Sequence, residues 1–317
     1  MISSSTVFDV IIIGSGPAGS TAAIYTSRAS LKTLVIGGNP PGGQLVNTTS
    51  VENFPGFPNG ILGPELVTNI RKQMEKYGSI VLDENVSKVS GTFKDGFTID
   101  TDANNKYSGK TILIASGSSA KWLGTESEQR LKGYGVSACA VCDGPLYKQK
   151  IVAIVGGGDS SMEEAIYLTR FVEKVYVLVR SDKEKMKASD VMQKKAFNNH
   201  KLQFLFNTEI KEILGEKFVE GVRILNNKTK EESVLTDVRG VFIAVGHQPN
   251  TEFLGGFVDL DEKGYVKTFG KHMSSVEGVF AAGDVNDFNY RQAITASGYG
   301  CMAATEIIRF LAEQKRS

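Results

Sequence analysis

Two stretches of this chain repeat one arrangement of apolar and polar positions. The first begins with Val7-Phe8-Asp9-Val10-Ile11-Ile12-Ile13, an apolar, β-branched run interrupted only by Asp9. It enters Gly14-Ser15-Gly16-Pro17-Ala18-Gly19, continues through Ser20–Ser30, and returns to an apolar run at Thr33–Ile36. The second begins with Ile151–Val155, passes through Gly156-Gly157-Gly158-Asp159-Ser160-Ser161, continues through Met162–Phe171, and returns at Lys174–Val179. Each stretch predicts a strand, a glycine turn, a helix and a second strand, so the chain carries two βαβ openings.

The glycines say what such openings hold. The first glycine permits the tight corner from strand to helix, and the second lets the backbone approach a pyrophosphate lying at the positive end of the helix. Ser161 stands where a third glycine or alanine is usual, and it is small enough for close packing. An acid about 20 residues past the first glycine usually binds the adenine ribose hydroxyls. The second opening has Val179-Arg180-Ser181-Asp182 there, followed by Lys183, Lys185 and Lys187. An arginine in that place favours a 2′-phosphate and hence NADPH, while a solvated mixed-charge loop is the alternative. The first opening also lacks the acid, with no carboxylate between Ile36 and Glu52.

Length and charge narrow the classes. At 317 residues the chain suits about two domains. Its 34 glycines fall in tight groups, which speaks for close backbone approach rather than disorder. Thirty-six basic and 35 acidic residues leave a formal charge of +1, so nothing favours nucleic acid or an anionic membrane. No apolar run approaches the ~20 residues of a membrane span, and the start lacks the pattern of a secretory signal. A cytoplasmic location is expected.

Three cysteines are an odd number, poor material for a disulfide-stapled fold. Cys301 lies alone among small apolar residues and is expected to be buried. Cys139-Ala140-Val141-Cys142 has the spacing of a small-loop disulfide, and equally of half a zinc site. Zinc would need two more ligands from Cys301, His200, His247 and His272, all distant in sequence, so no metal is expected. A helix beginning near Ser137 would lower a cysteine pKa. Asp143 is either a proton shuttle for thiol–disulfide exchange or a turn residue before Gly144.

With these features located, the whole chain resembles the low-molecular-weight thioredoxin reductases of bacterial and fungal type. The resemblance rests on GSGPAG at Gly14–Gly19, Gly42-Gly43-Gln44-Leu45, Glu52–Gly56, SACAVCDG at Ser137–Gly144, and Gly156–Asp159 with Glu163-Glu164-Ala165. It continues in Ala244–His247 and in Gly278–Val285 with Arg291-Gln292-Ala293. It implies an α/β fold of two Rossmann-like three-layer dinucleotide-binding domains, in which a discontinuous FAD domain (1–118 and 247–317) receives an inserted NADPH domain (119–246). The FAD residues implied are Gly14, Gly16, Pro17, Ala18, Gly19, Gly43, Gln44, Leu45, Asn53, Ala115, Gly117, Gly283, Asp284, Arg291, Gln292 and Ala293. Those for NADPH are Gly156, Gly158, Asp159, Ser160, Arg180, Lys187 and Gly246.

The resemblance further implies that Cys142 takes electrons from the flavin, that Cys139 attacks the disulfide of thioredoxin, and that Asp143 is the acid–base partner. It implies a homodimer, and hinges near Ser118–Lys121 and Val245–His247 for alternating hydride delivery and disulfide reduction. The family's usual His-Arg-Arg run is replaced here by Val179-Arg180-Ser181, and Lys187 stands in place of a further arginine. Lysine lacks the bidentate fork, so a narrower preference for NADPH over NADH is expected. Related readings are a reductase of the ferredoxin type, which needs no cysteine pair; a reductase of a peroxide-detoxifying system, which usually carries an extra N-terminal thioredoxin-like region; and a thiol-regulated flavin sensor.

Overall fold

Strand β1, Val7–Ile13, is the centre of the first sheet because its apolar residues serve both faces. Ile11 and Ile13 enter one buried layer, Val10 and Ile12 the other. Full burial of each large aliphatic side chain is worth about 1.5–3 kcal/mol. The computed structural model describes residues 6–48 and 50–314. The chain divides into two compact units, Met1–Ser119 with Gln248–Ser317, and Ala120–His247.

In the first unit β1 leads into helix α1, Pro17–Arg28, and then β2, Thr33–Ile36. The helix begins three residues before the expected Ser20, because Pro17 has the φ of a first helical position and no N–H to leave unpaired there. A short hairpin of β3 (Ser50–Val51) and β4 (Ile61–Leu62) precedes helix α2, Gly63–Lys76. Next come β5 (Ile80–Leu82) and a meander of β6 (Val86–Thr92), β7 (Gly96–Thr101) and β8 (Lys106–Ile114). The sheet order is β5-β2-β1-β8-β7-β6, parallel from β5 to β8 and antiparallel beyond. β9, Ser118–Ala120, carries the chain across to the second unit.

The second unit opens with α3 (Glu126–Leu131), β10 (Val136–Ser137) and the one-turn helix α4 (Ala140–Asp143). β11 (Ile151–Val155), α5 (Asp159–Leu168) and β12 (Lys174–Val179) follow, the helix again three residues earlier than expected. After α6 (Asp190–Phe197) and β13 (Leu202–Phe206) comes an antiparallel sheet of β14 (Thr208–Leu214), β15 (Gly221–Asn226) and β16 (Glu232–Leu235). β17, Val238–Ile243, completes a parallel sheet of order β10-β17-β11-β12-β13. Val152, Ile154, Val175 and Val177 pack on Met162, Ala165 and Leu168 of α5. On the other face Ala153, Leu178 and Val241 pack on Ile210, Ile213 and Val222 of the antiparallel sheet. That makes three layers.

β18, His247–Pro249, pairs with β9 where the chain returns to the first unit. β19, Val279–Ala281, adds to β8 in parallel, and α7, Ala293–Gln314, packs on α1. Ala303, Ala304 and Ile307 of α7 fill the layer that holds Val10, Ala22 and Leu113.

Candidate active site

Each glycine loop is shaped by the backbone it touches. Gly14 has φ +107°, and a Cβ there would lie 2.3 Å from the carbonyl oxygen of Ala115. Around Gly16, by contrast, a Cβ would meet no atom within 4 Å, and Gly16 caps α1 without any side chain. The first N–H groups of α1 therefore face an open cradle, with no acid in the first turn. In the second unit a Cβ on Gly156 would lie 2.4 Å from Ala244 O and 2.7 Å from the Cβ of Ser161. Gly158 is as open as Gly16 and caps α5 without a side chain. Ser161 is buried and donates its hydroxyl to Gly158 O at 2.7 Å, so the third position of the motif packs as its small size predicts.

Of the expected flavin residues, Ala115, Gly43 and Gly283 approach the first glycine loop, while Gln44, Asn53 and Gln292 are held by other partners. A Cβ on Gly43 would lie 3.2 Å from Gly16 Cα, and one on Gly283 would lie 2.8 Å from the Cβ of Ala18. Gly43, Gln44 and Leu45 belong to one short 3-10 turn, whose Gln44 Nε2 donates to Ser118 O just beyond Gly117. Asn53 Nδ2 donates to Gln292 Oε1 at 3.2 Å, one residue before Ala293 opens α7. Burial, reinforced by the charge of Asp287, pushes Asp284 up to about 6, while Arg291 opposes the shift. Buried polar atoms stand without hydrogen-bond partners beside these residues: Ser118 Oγ, Asn286 Oδ1 and Asp287 Oδ2. An open helix N-terminus for a pyrophosphate, with unpaired acceptors and a hydroxyl for a sugar-like chain, fits a flavin dinucleotide.

Residues without a sequence signal also shape this unit. Ser15 Oγ donates to Gly37 O at 2.8 Å and accepts from Gly42 N–H at 2.7 Å, tying the end of β2 to the glycine loop. Asn250 holds Ser116 O and Ser119 Oγ at 2.8 and 2.9 Å, and its N–H donates to Gly117 O. Cys301 is half-buried rather than buried. It is hydrogen-bonded to Tyr25, whose hydroxyl it pushes up.

In the second unit Lys187 lies beside the glycine loop, since the N–H groups of Lys187 and Ala188 both donate to Gly157 O, at 2.9 and 3.0 Å. Asp159 Oδ1 accepts the Ser189 N–H at 2.6 Å, so this acid holds the same segment down. Ser160 is exposed on the first turn of α5, Arg180 is exposed at the end of β12, and Gly246 turns with φ +104° after β17. An uncapped helix N-terminus flanked by exposed Arg180 and Lys187 suits a dinucleotide with an extra phosphate.

Cys139 and Cys142 are joined in a disulfide with Cα atoms 5.3 Å apart. A disulfide leaves no thiolate for zinc. The helix expected near Ser137 starts later. Ser137 ends β10, and Cys139 is the N-cap of α4, its Sγ accepting the Cys142 N–H at 3.2 Å. Ser137 is fixed in the strand by pairing with β17, so its hydroxyl turns to local groups instead: it accepts the Cys139 N–H at 3.0 Å. The same hydroxyl bonds the Asp143 carboxyl.

Burial raises the pKa of Asp143 above the usual carboxylate range, and the Ser137 hydroxyl partly offsets it. Tyr147, packed edge-on against Phe242, is pushed up to about 12 by burial and by the nearby Asp143. Glu164 of α5 accepts the Ala140 N–H at 3.4 Å. A disulfide beside a half-buried acid that readily holds a proton can exchange both electrons and protons.

The family model for the pyridine nucleotide-disulphide oxidoreductases matches residues 8–300. The chain belongs to that family. It is 48% identical over 317 residues to a thioredoxin reductase of Mycolicibacterium smegmatis, covering 99% of this chain and all of the relative. A thioredoxin reductase of Rickettsia conorii is 47% identical, with 95% and 97% covered. The solved thioredoxin reductase from Giardia duodenalis superposes with a TM-score of 0.90 at 41% identity, over 97% of this chain and all of that one. Within the family, membership extends to the thioredoxin reductases, which are oxidoreductases. Among the described residues no helix is long and apolar enough to cross a membrane.

Proposed function

We propose that this chain transfers two electrons from NADPH through FAD to the Cys139–Cys142 disulfide, and from there to the disulfide of thioredoxin. The observation that carries the proposal is a disulfide on a one-turn helix beside a raised-pKa acid, in a chain with two open dinucleotide cradles. The first unit is the FAD domain in this reading and the second the NADPH domain. Bound FAD would accept hydride from the nicotinamide and return the electron pair to a disulfide.

Gly14–Gly19 and the N-terminus of α1 would hold the flavin pyrophosphate, and Asp284 the hydroxyls of its ribityl chain. Gly156–Ser160 would hold the NADPH pyrophosphate, with Arg180 and Lys187 on its 2′-phosphate. In the reduced enzyme the Cys139 thiolate attacks one sulfur of the substrate disulfide. A mixed disulfide forms and the other substrate sulfur leaves as thiolate, taking a proton. Cys142 then attacks Cys139, the enzyme disulfide re-forms, and the second substrate sulfur is released. Two electrons and two protons reach the substrate. Asp143 holds and passes a proton beside Cys142, and Ser137 orients it.

A homodimer in the cytoplasm completes the proposal. Exposed Tyr25, Ile294 and Met302 on α1 and α7 supply apolar surface for the first, and a pair that cycles between thiol and disulfide suits a reducing compartment. The test is NADPH consumption in the presence of thioredoxin, run beside an absorption spectrum for flavin. Cys139→Ser is expected to abolish thioredoxin reduction while FAD stays bound; retained turnover refutes the assignment.

A further inference from the structure

The loop that ends β12 is fastened from outside by the turn between β15 and β16. Asn227 Nδ2 donates to Arg180 O at 2.6 Å. Lys228 Nζ lies 2.5 Å from Asp182 Oδ1, which also accepts from Asn207 Nδ2 at 3.0 Å. Asn207 N–H donates to Ser181 O, and Asn227 N–H to Asn207 O at 2.7 Å. The turn is itself rigid: Asn226 Oδ1 accepts the N–H groups of Lys228 and Thr229, each at 3.0 Å. All three loop residues, 180 to 182, are therefore gripped by groups 25 to 47 positions away in sequence.

The loop's place in the fold gives this grip a chemical meaning. The end of the second strand of a βαβ unit is where a dinucleotide's adenine ribose is read, an acid there accepting ribose hydroxyls and an arginine accommodating a 2′-phosphate. Asp182 is the first carboxylate after β12, two residues past Arg180. Left free it would favour an unphosphorylated ribose and repel a phosphate dianion. We propose that Asn227 and Lys228 are positioning residues for nucleotide choice: Lys228 neutralises Asp182 and draws it to the turn, and Asn227 fixes the backbone that presents Arg180. The inference rests on the NADPH reading of the second unit and adds to it a selectivity device carried by a different sheet.

The test uses the FAD-loaded protein at low ionic strength and measures calorimetric affinity for adenosine 2′,5′-bisphosphate and adenosine 5′-monophosphate. Steady-state KM values for NADPH and NADH accompany it. Lys228→Ala is expected to weaken the bisphosphate by roughly three- to tenfold, the size of one partly screened charge, and to leave the monophosphate unchanged or slightly tighter. The NADPH KM should rise with kcat unaltered. Lys228→Arg should bind as the parent does, and Asp182→Asn in the Lys228→Ala background should restore the bisphosphate affinity. Raising the salt should shrink the difference. Equal weakening of both nucleotides, or no rescue by Asp182→Asn, overturns the inference while the NADPH reading stands. If the parent protein itself fails to prefer the bisphosphate, the NADPH reading falls, and the inference with it.

Discussion

At the scale of single residues, two acids have environments that make them titrate unusually high. Asp284 reaches about 6 through burial and the charge of Asp287. Because its folded pKa lies above the ordinary carboxylate value, the stability this group contributes is full below about pH 4 and is lost as pH rises through 6. If the flavin hydroxyls donate to the Asp284 carboxylate, binding selects the ionised form. FAD affinity of the apoprotein should then fall by up to about tenfold per pH unit below 6. A fluorescence titration at pH 5 and pH 7.5 checks this, and Asp284→Asn should flatten the difference. For Asp143 the expected effect runs through Ser137: removing the hydroxyl in Ser137→Ala removes the interaction that lowers the acid's pKa. The ionisation assigned to Asp143 in a pH–rate profile should move upward; an unmoved profile would separate Ser137 from that acid.

Sequence legibility at this scale was uneven. Cys139, Cys142 and Asp143 stand out because three informative residues share one short segment. Ser137 was legible as a polar residue near the pair, but its role was not: a serine before a short helix looks like a cap, and only pairing of β10 with β17 shows that it is a strand end. Asn250, Asn227 and Lys228 carried no local signal, because their partners lie far along the chain.

At the scale of elements, the strands were read more closely than the helices. β1, β2, β11 and β12 fall where the β-branched runs place them, since burial on both faces keeps most of each strand apolar and confines its polar residues, such as Asp9 and Lys174, to the first part of the run. Both motif helices start earlier than expected because loop residues such as Pro17 and Asp159 already adopt helical backbone. α1 and α7 meet at a close seam. A Cβ on Gly300 would lie 2.0 Å from Ala18 O, whereas Gly298, two residues earlier on α7, meets nothing within 4 Å. Gly300→Ala should therefore force the helices apart and cost about 1–3 kcal/mol, with loss of flavin, because Ala18 belongs to the first cradle. Gly298→Ala should be neutral or stabilise by up to about 1 kcal/mol through helix propensity. Thermal unfolding followed by flavin fluorescence distinguishes the two.

At the scale of the whole molecule, the two units differ in how the chain builds them. Unit Ala120–His247 is one continuous segment with apolar layers on both faces of its sheet. A fragment of those residues is expected to unfold cooperatively in urea and to keep its disulfide; a featureless, noncooperative transition would contradict that independence. The first unit is interrupted, and its helix layer needs Ala303, Ala304 and Ile307 from α7. Hydrophobic periodicity could not reveal this interruption, since a pattern read along the chain reports neighbours in sequence and not which segments share a core. The glycine loops were legible because their residue pattern is local in sequence, although the backbone that closes on them, at Ala115 and Ala244, lies far along the chain.

The double crossing between units also sets an order of birth on the ribosome. A chain made from its N-terminus exposes β1 and α1 early, yet their covering helix α7 emerges last. The inserted unit, complete once β17 is out, is free to fold while the segment before it still waits with an uncovered apolar face. The element order thus lets the middle of the chain fold before its beginning is covered, unlike the usual N-terminal-first sequence. Between β17 and α7 the uncovered apolar face of β1 and α1 is the surface that a chaperone would shield.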